Sequence, residues 1–214
     1  MVAYYSDFVG EVRIDCPGAP EPTIETMVRH CVMEFCERSL VLKSTLPAIT
    51  IEAEEPLYTL IPPTDTSIVQ VANAQIDDND PLTQASTDQL DLWWRSFGIR
   101  PSWFADLCSC SSDSGGNHWR QLTQDIPDAF YIDRENDSYR MRLVGIPTTQ
   151  IADSLVARVV VKPTRVSETF SSWLAEKYSE AIIAGAKYRL MRMPKKEWTN
   201  IELASAHYSD FESK

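Results

Sequence analysis

The chain has 214 residues, with 20 Lys+Arg against 31 Asp+Glu and a formal net charge of -11 at pH 7. So acidic a total argues against sequence-independent nucleic-acid binding and against attachment to anionic membranes, both of which need a basic face. At 43% hydrophobic and 24% charged residues the chain is that of a globular protein able to bury a core, as one large or two small domains, and no stretch approaches the ~20 apolar residues of a membrane span.

Residues 1–10 (MVAYYSDFVG) lack the basic start and apolar run of a signal peptide, so cytoplasmic synthesis is expected. The first clear element runs from Pro22 to about Leu42. Its apolar positions Ile24, Met27, Val28, Cys31, Val32, Phe35 and Cys36 recur at helical spacing and predict a long amphipathic helix. Pro22 suits the first turn, Glu25 the positive helix N-terminus, and Pro47 closes the pattern.

A β-rich texture follows. Short β-branched or alternating runs at 48–53, 57–61, 67–76, 129–132, 139–144 and 155–162 predict six strands, separated by turn chemistry such as Pro62-Pro63, residues 77–80 (DDND) and residues 136–138 (NDS). One short helix is predicted at Thr87–Ser96, and residues 108–117 (CSCSSDSGGN) read as a flexible loop. A second long helix is predicted from Phe170 to Arg192, with Leu174, Tyr178, Ala181, Ile182, Gly185 and Ala186 as its stripe and Ser171/Ser172 as capping hydroxyls. Gly185 in mid-helix costs ~1 kcal/mol against Ala, which points to a neighbouring helix backbone close by. Pro194 stops this helix, and a last one is predicted from Thr199 to Phe211.

Neither long amphipathic helix can bury its stripe alone, and each is the obvious partner of the other. The expected fold is therefore α+β: an antiparallel helix pair or bundle built from the N- and C-terminal helices, carrying an inserted β-rich domain, sandwich or barrel-like. The expected divisions are 1–45 (N-terminal arm and long helix), 46–169 (β-rich insert) and 170–214 (C-terminal helices and tail). Helix packing is assigned to Ile24, Met27, Val28, Cys31, Val32, Phe35, Leu174, Tyr178, Ile182 and Gly185. Charge follows the same division: residues 46–169 hold 9 basic against 18 acidic residues, and residues 170–214 hold 7 against 6.

Enzymatic signatures are sparse. There is no G-x-S-x-G elbow, Walker loop, G-x-G-x-x-G or H-E-x-x-H, and only three histidines are present to act as bases. His30 and His207 read as structural. Cys108, Cys110 and His118 form the best metal candidate, yet a C-x-C with one His is a ligand short of a zinc site. The acidic turn at 77–80 lacks the alternation of a calcium loop. Cys16, Cys31, Cys36, Cys108 and Cys110, odd in number and scattered, read as free thiols. No metal and no cofactor are expected. Of the six tryptophans, adjacent Trp93 and Trp94 would stand about 100° apart on a helix, so at least one is expected to leave the local core as a contact surface.

Certain strings carry a resemblance. Cys16 to Glu25 (CPGAPEPTIE), Glu34 to Leu40 (EFCERSL), Val160 to Pro163 (VVKP), Leu174, Tyr178, Glu180 to Lys187 (EAIIAGAK), Leu190, Met193-Pro194, Trp198 and Tyr208 with Phe211-Glu212 resemble the head-to-tail adaptors of tailed bacteriophages, similar in plan to the tail tubular A-type proteins of short-tailed phages. The resemblance covers nearly the whole chain. It implies a non-enzymatic virion protein of the neck: a ring, commonly of twelve copies, with the portal protein on one side, the tail nozzle on the other, and a channel through which DNA passes without specific binding. It implies no membrane and no catalytic residues, and it sends the C-terminal segment to the portal. The residues add a basic spot near that end. Arg189, Arg192, Lys195, Lys196, Trp198, Tyr208 and Phe211 are thus the expected portal-interface residues, and acidic side chains are expected to face the lumen. The loop at 108–117 departs from the family plan. Two other classes compete: a virion-associated cell-wall hydrolase, and a monomeric carbohydrate- or peptide-binding β module with helical flanks.

Overall fold

A computed structural model describes residues 2–77, 80–95, 119–135 and 138–213. The chain is α+β, with five helices and twelve strands in four sheets among the described residues. In order these are β1 (Val2–Tyr4), a 3-10 turn (Tyr5–Phe8), α1 (Val9–Asp15), α2 (Glu21–Ser39), β2 (Lys43–Thr45), β3 (Ile49–Ile51), β4 (Leu57–Leu60), β5 (Thr66–Ile76), β6 (Thr83–Gln84) and α3 (Thr87–Arg95). After a second 3-10 turn (Trp119–Gln121) come β7 (Thr123–Gln124), β8 (Ala129–Glu135), β9 (Ser138–Val144), β10 (Ile146–Pro147), β11 (Ile151–Pro163), β12 (Thr169–Ser171), α4 (Ser172–Met191) and α5 (Ile201–Ser213). Two compact units result: residues 1–43, 63–69 and 160–214 form one, residues 44–62 and 70–159 the other.

In the first unit the amphipathic stripes share one core. Ile24, Val28, Cys31, Val32, Phe35 and Cys36 of α2 lie with Leu174, Ala181, Ile182, Ala186 and Leu190 of α4 and with Ala204 and Phe211 of α5, while Met27 and Tyr178 pack half-buried against them. Helix α2 ends at Ser39, before the expected Leu42. Leu40 adopts a left-handed conformation (φ 54°), and the Leu42 carbonyl accepts from Val161 N at 2.9 Å, which draws the chain out of the helix and onto β11. Helix α4 starts at Ser172, two residues later than Phe170, because Thr169–Ser171 pair antiparallel with β1. Ser171 stands at its N-cap but makes no side-chain cap bond. Helix α5 begins at Ile201 because the Thr199 hydroxyl is held by the Met193 carbonyl (2.5 Å), leaving Asn200 to accept from Leu203 N (3.1 Å) as the cap.

The first nineteen residues, expected as an arm, contribute Tyr5, Phe8, Val9, Val12, Cys16 and Ala19 to the same core. Tyr5 stacks on Phe170 at 5.1 Å and its hydroxyl meets Ser167 Oγ at 3.0 Å. Burial pushes the thiols up, Cys16 to about 11 and Cys31 and Cys36 to about 12, so all three are neutral at physiological pH.

In the second unit, β4, β9, β8 and β6 form a four-stranded sheet in that order, and β8 and β9 pair from Ala129↔Val144 to Glu135↔Ser138. Ala85, Leu90, Trp119, Ala129, Tyr131 and Val144 pack into its core cluster. Trp119 meets Tyr131 edge-on at 5.4 Å and donates Nε1–H to Asp91 at 2.7 Å, so a large aromatic is buried with its polar atom satisfied. A reciprocal capping box starts α3: Gln89 N donates to Ser86 Oγ (3.2 Å) and Ser86 N to Gln89 Oε1 (2.9 Å). The six predicted strands correspond to β3, β4, β5, β8, β9 and β11. The remaining strands are two or three residues long, too short to show a period. Trp103, Cys108, Cys110, the loop at 108–117 and His118 lie outside the described residues, as do residues 78–79 and the side chains of Trp93 and Trp94.

A Cβ placed on Gly185 would stand 2.3 Å from Cys31 Sγ and 2.9 Å from Phe211 Cδ2. Gly185→Ala is expected to destabilise the protein by up to about 2 kcal/mol, because overpacking at so close a contact (about 1–3 kcal/mol) outweighs the ~1 kcal/mol gain in helix propensity. Urea denaturation measures this, and a neutral or stabilising result would show that the α2–α4–α5 contact yields.

Candidate interaction surface at the end of the fourth helix

The basic spot expected near the C-terminus divides by how each cation is used. Arg189 is half-buried and paired with Glu34 of α2. Glu34 also meets Arg38 (3.4 Å), and Arg38 forks onto Glu212 of α5, its second bond at 2.6 Å. Four alternating charges thus tie α4, α2 and α5 together. Phe211 sits beneath them, 5% exposed, with the Arg38 guanidinium 5.9 Å from its ring centre. Hydrogen bonds from Arg38 and Tyr208 hold the Glu212 carboxyl below the usual carboxylate range. A second link joins Lys187 to Asp15 (2.6 Å), with His207 at 3.9 Å from the same carboxylate.

The remaining cations face outward. Arg192 is exposed and donates to the Tyr188 hydroxyl. Lys195, in a left-handed conformation (φ 58°), and Lys196 are exposed on the turn before α5, with Lys196 5.9 Å from the ring centre of half-buried Trp198. Four bonds hold this turn: Lys196 N to Thr199 Oγ1 (3.0 Å), Thr199 Oγ1 to Met193 O (2.5 Å), Thr199 N to Lys196 O (3.1 Å) and Asn200 N to Met191 O (3.1 Å). Tyr208 is partly exposed, its ring 4.8 Å from that of Tyr188.

Between α2 and the end of α4 lies an open pocket of about 430 Å³, lined by Met27, His30, Tyr188, Arg189, Arg192, Met193 and Pro194. Its lining sets apolar Met27, Met193 and Pro194 beside cationic Arg189 and Arg192. Partial desolvation, then the positive fields of Arg189, Arg165 and Arg29, hold the His30 imidazole below its ordinary value, so it is neutral near pH 7. Arg29 bonds the Arg165 carbonyl (3.3 Å) and its guanidinium lies 5.0 Å from the Tyr5 ring centre.

Of the residues predicted for an interface, Arg189 and Arg192 share this pocket, Lys195, Lys196 and Trp198 share the next turn, and Phe211 is in the core. Sequence reasoning missed His30, Met27 as a pocket residue, and Arg165. Met27 and His30 are three apart on one helix, a signal that was present, whereas nothing in the sequence joins Arg165 to α2. Apolar side chains are also exposed on α5: Ile201 (70%), Leu203 (39%) and Tyr208 (39%). No helix among the described residues is long and apolar enough to cross a membrane, and none of their His, Cys, Asp and Glu side chains gather in threes as a metal site would require.

Glu212→Gln is expected to lower the thermal midpoint at neutral pH. The carboxyl's folded-state value is depressed, so its contribution is complete above the unfolded value of about 4.3 and is lost as pH falls through the folded one. Melting curves of wild type and variant should therefore converge in acid; a gap that is constant with pH would assign Glu212 a packing role instead.

Compared with models of protein families, residues 4–214 match the family described as SU10 adaptor protein. No curated protein matches the chain.

Proposed function

The chain belongs to the SU10 adaptor protein family of phage head-to-tail adaptors, and on that premise we propose that it is a non-catalytic ring subunit of the virion neck, set between the portal and the tail. The family match over almost the full length carries this reading. It is a protein-binding role, and the exposed apolar side chains of α5 suit it: exposed aromatic and aliphatic groups are what interface cores bury. The ring, commonly of twelve copies in such adaptors, docks the portal through the exposed side of α5, meets the tail nozzle on the opposite side, and leaves a channel. DNA moves through without specific binding because an acidic wall offers few phosphate contacts. The second unit, with 16 acidic against 7 basic residues, carries -9 of the chain's -11 and is the part proposed to face the lumen.

Removal of the whole segment after Met193 would strip Ala204 and Phe211 from the core, so point changes test docking more cleanly. Ile201→Glu with Leu203→Glu, at exposed positions, should leave stability within about 0.5 kcal/mol and weaken binding to a portal ring at least tenfold. Electron microscopy of virions should show the chain as a ring between portal and nozzle. Undiminished portal binding by the double variant would overturn the assignment of α5, and absence of the chain from the neck would overturn the role itself.

A further inference from the structure

The pocket between α2 and α4 has Arg192 in its lining and further cations close by: Lys195 and Lys196 follow its Pro194 in the chain, and the positive charge of Arg165 acts on its His30. Among the described residues Arg165 and Lys195 take part in no ion pair, Arg192 is engaged only by the Tyr188 ring and hydroxyl, and Lys196 only by the Trp198 ring. Met27, Met193 and Pro194 supply its apolar lining. Such a site fits a compact turn that carries several carboxylates and small apolar groups.

The same chain holds one. Glu52, Glu54 and Glu55, with Ala53 and Pro56, form an exposed turn of the second unit, and none of the three carboxylates is in an ion pair among the described residues. The turn is stiff. Tyr58 OH donates to the Glu55 carbonyl (2.5 Å) and accepts from Glu52 N (3.1 Å), Glu54 sits at φ 64° with its N–H on the Pro147 carbonyl (2.8 Å), and Leu57 N donates to Glu55 Oε1 (3.1 Å). A turn already held in shape loses little entropy on docking. Charge selects the pairing. The second unit carries -9, so copies repel through it and gain most by setting it against the cations of the helical unit, which is close to neutral with 13 basic and 15 acidic residues.

We propose that the acidic turn Glu52–Glu55 of one copy docks in the Met27/His30/Arg192/Pro194 pocket of the next, with Arg192, Lys195, Lys196 and Arg165 around its carboxylates. The contact uses two different patches and is therefore heterologous, the kind that closes into a ring. It rests on the ring reading above and supplies that ring's subunit interface, leaving the exposed side of α5 for the portal.

Cross-linking tests it on the full chain. Copies labelled with 14N and 15N are mixed, assembled alone and on portal rings, treated with a zero-length carbodiimide that joins touching carboxylates and amines, and mapped by mass spectrometry. Mixed-isotope links from Glu52, Glu54 or Glu55 to Lys195 or Lys196 are expected. Links confined to one chain, or links from these lysines to the portal or to other carboxylates, overturn the pairing. In a second arm, Lys195→Glu with Lys196→Glu, and Glu52→Lys with Glu54→Lys, should each cut the assembled fraction at least tenfold while circular dichroism stays unchanged, and combining the two sets in one chain should restore assembly. Failure of that rescue overturns the pairing. Rings cross-linked through other surfaces sink the pairing alone, whereas a chain that stays monomeric with and without a portal sinks the ring reading as well.

Discussion

At Gly185 three helices meet without room for a methyl group. Cys31 of α2 and Phe211 of α5 both press on the bare Cα, and the rest of the helical unit is arranged around that closeness. Because no side chain intervenes at Gly185, the stripes of α2 and α4 interdigitate, and the ring of Phe211 can reach inward from the last turns of α5. The 3-10 turn and α1 then cover the flank that is left, through Tyr5, Phe8, Val9 and Val12. Apolar burial drives this assembly, and the same burial pushes the Cys31 and Cys36 thiols up to about 12.

Charge is layered on this core. Arg189, Glu34, Arg38 and Glu212 form an alternating chain along the helix surfaces, and Lys187 with Asp15 forms a second tie. Partly exposed pairs of this kind contribute little stability individually, since water and salt screen them. Their effect is geometric: each joins elements distant in sequence and sets where α5 lies. The consequence for function is that basic residues of one short segment have different duties. Arg189 is spent on holding helices together, while Lys195 and Arg192 are left facing outward beside an apolar pocket.

The helices were legible because amphipathic periodicity is a local property, repeated over five or more turns in α2 and α4. Their ends were less so. Leu40 to Leu42 look as apolar as the helix before them, yet a carbonyl pairing with Val161, more than a hundred residues away, takes them out of it. Phe170 reads as the first residue of a helix and is a strand residue for the same reason: its neighbours pair with β1. Strands β3, β4, β5, β8, β9 and β11 showed their β-branched texture. Pairs such as β7–β10, two residues each, exist only because tertiary structure brings their backbones together.

By itself, the sequence determined the α+β class, the three main amphipathic helices, the concentration of negative charge in the β-rich stretch, and the family, since the short strings that mark it are spread along nearly the whole chain. Tertiary structure alone decided which polar residues meet. His30 and Arg192 come from helices far apart in sequence, and a pocket is a property of distances through space that no periodicity encodes. It also decided that Phe211 is a core residue while Ile201, on the same short helix, is exposed: burial depends on what stands opposite, and what stands opposite Phe211 is a glycine.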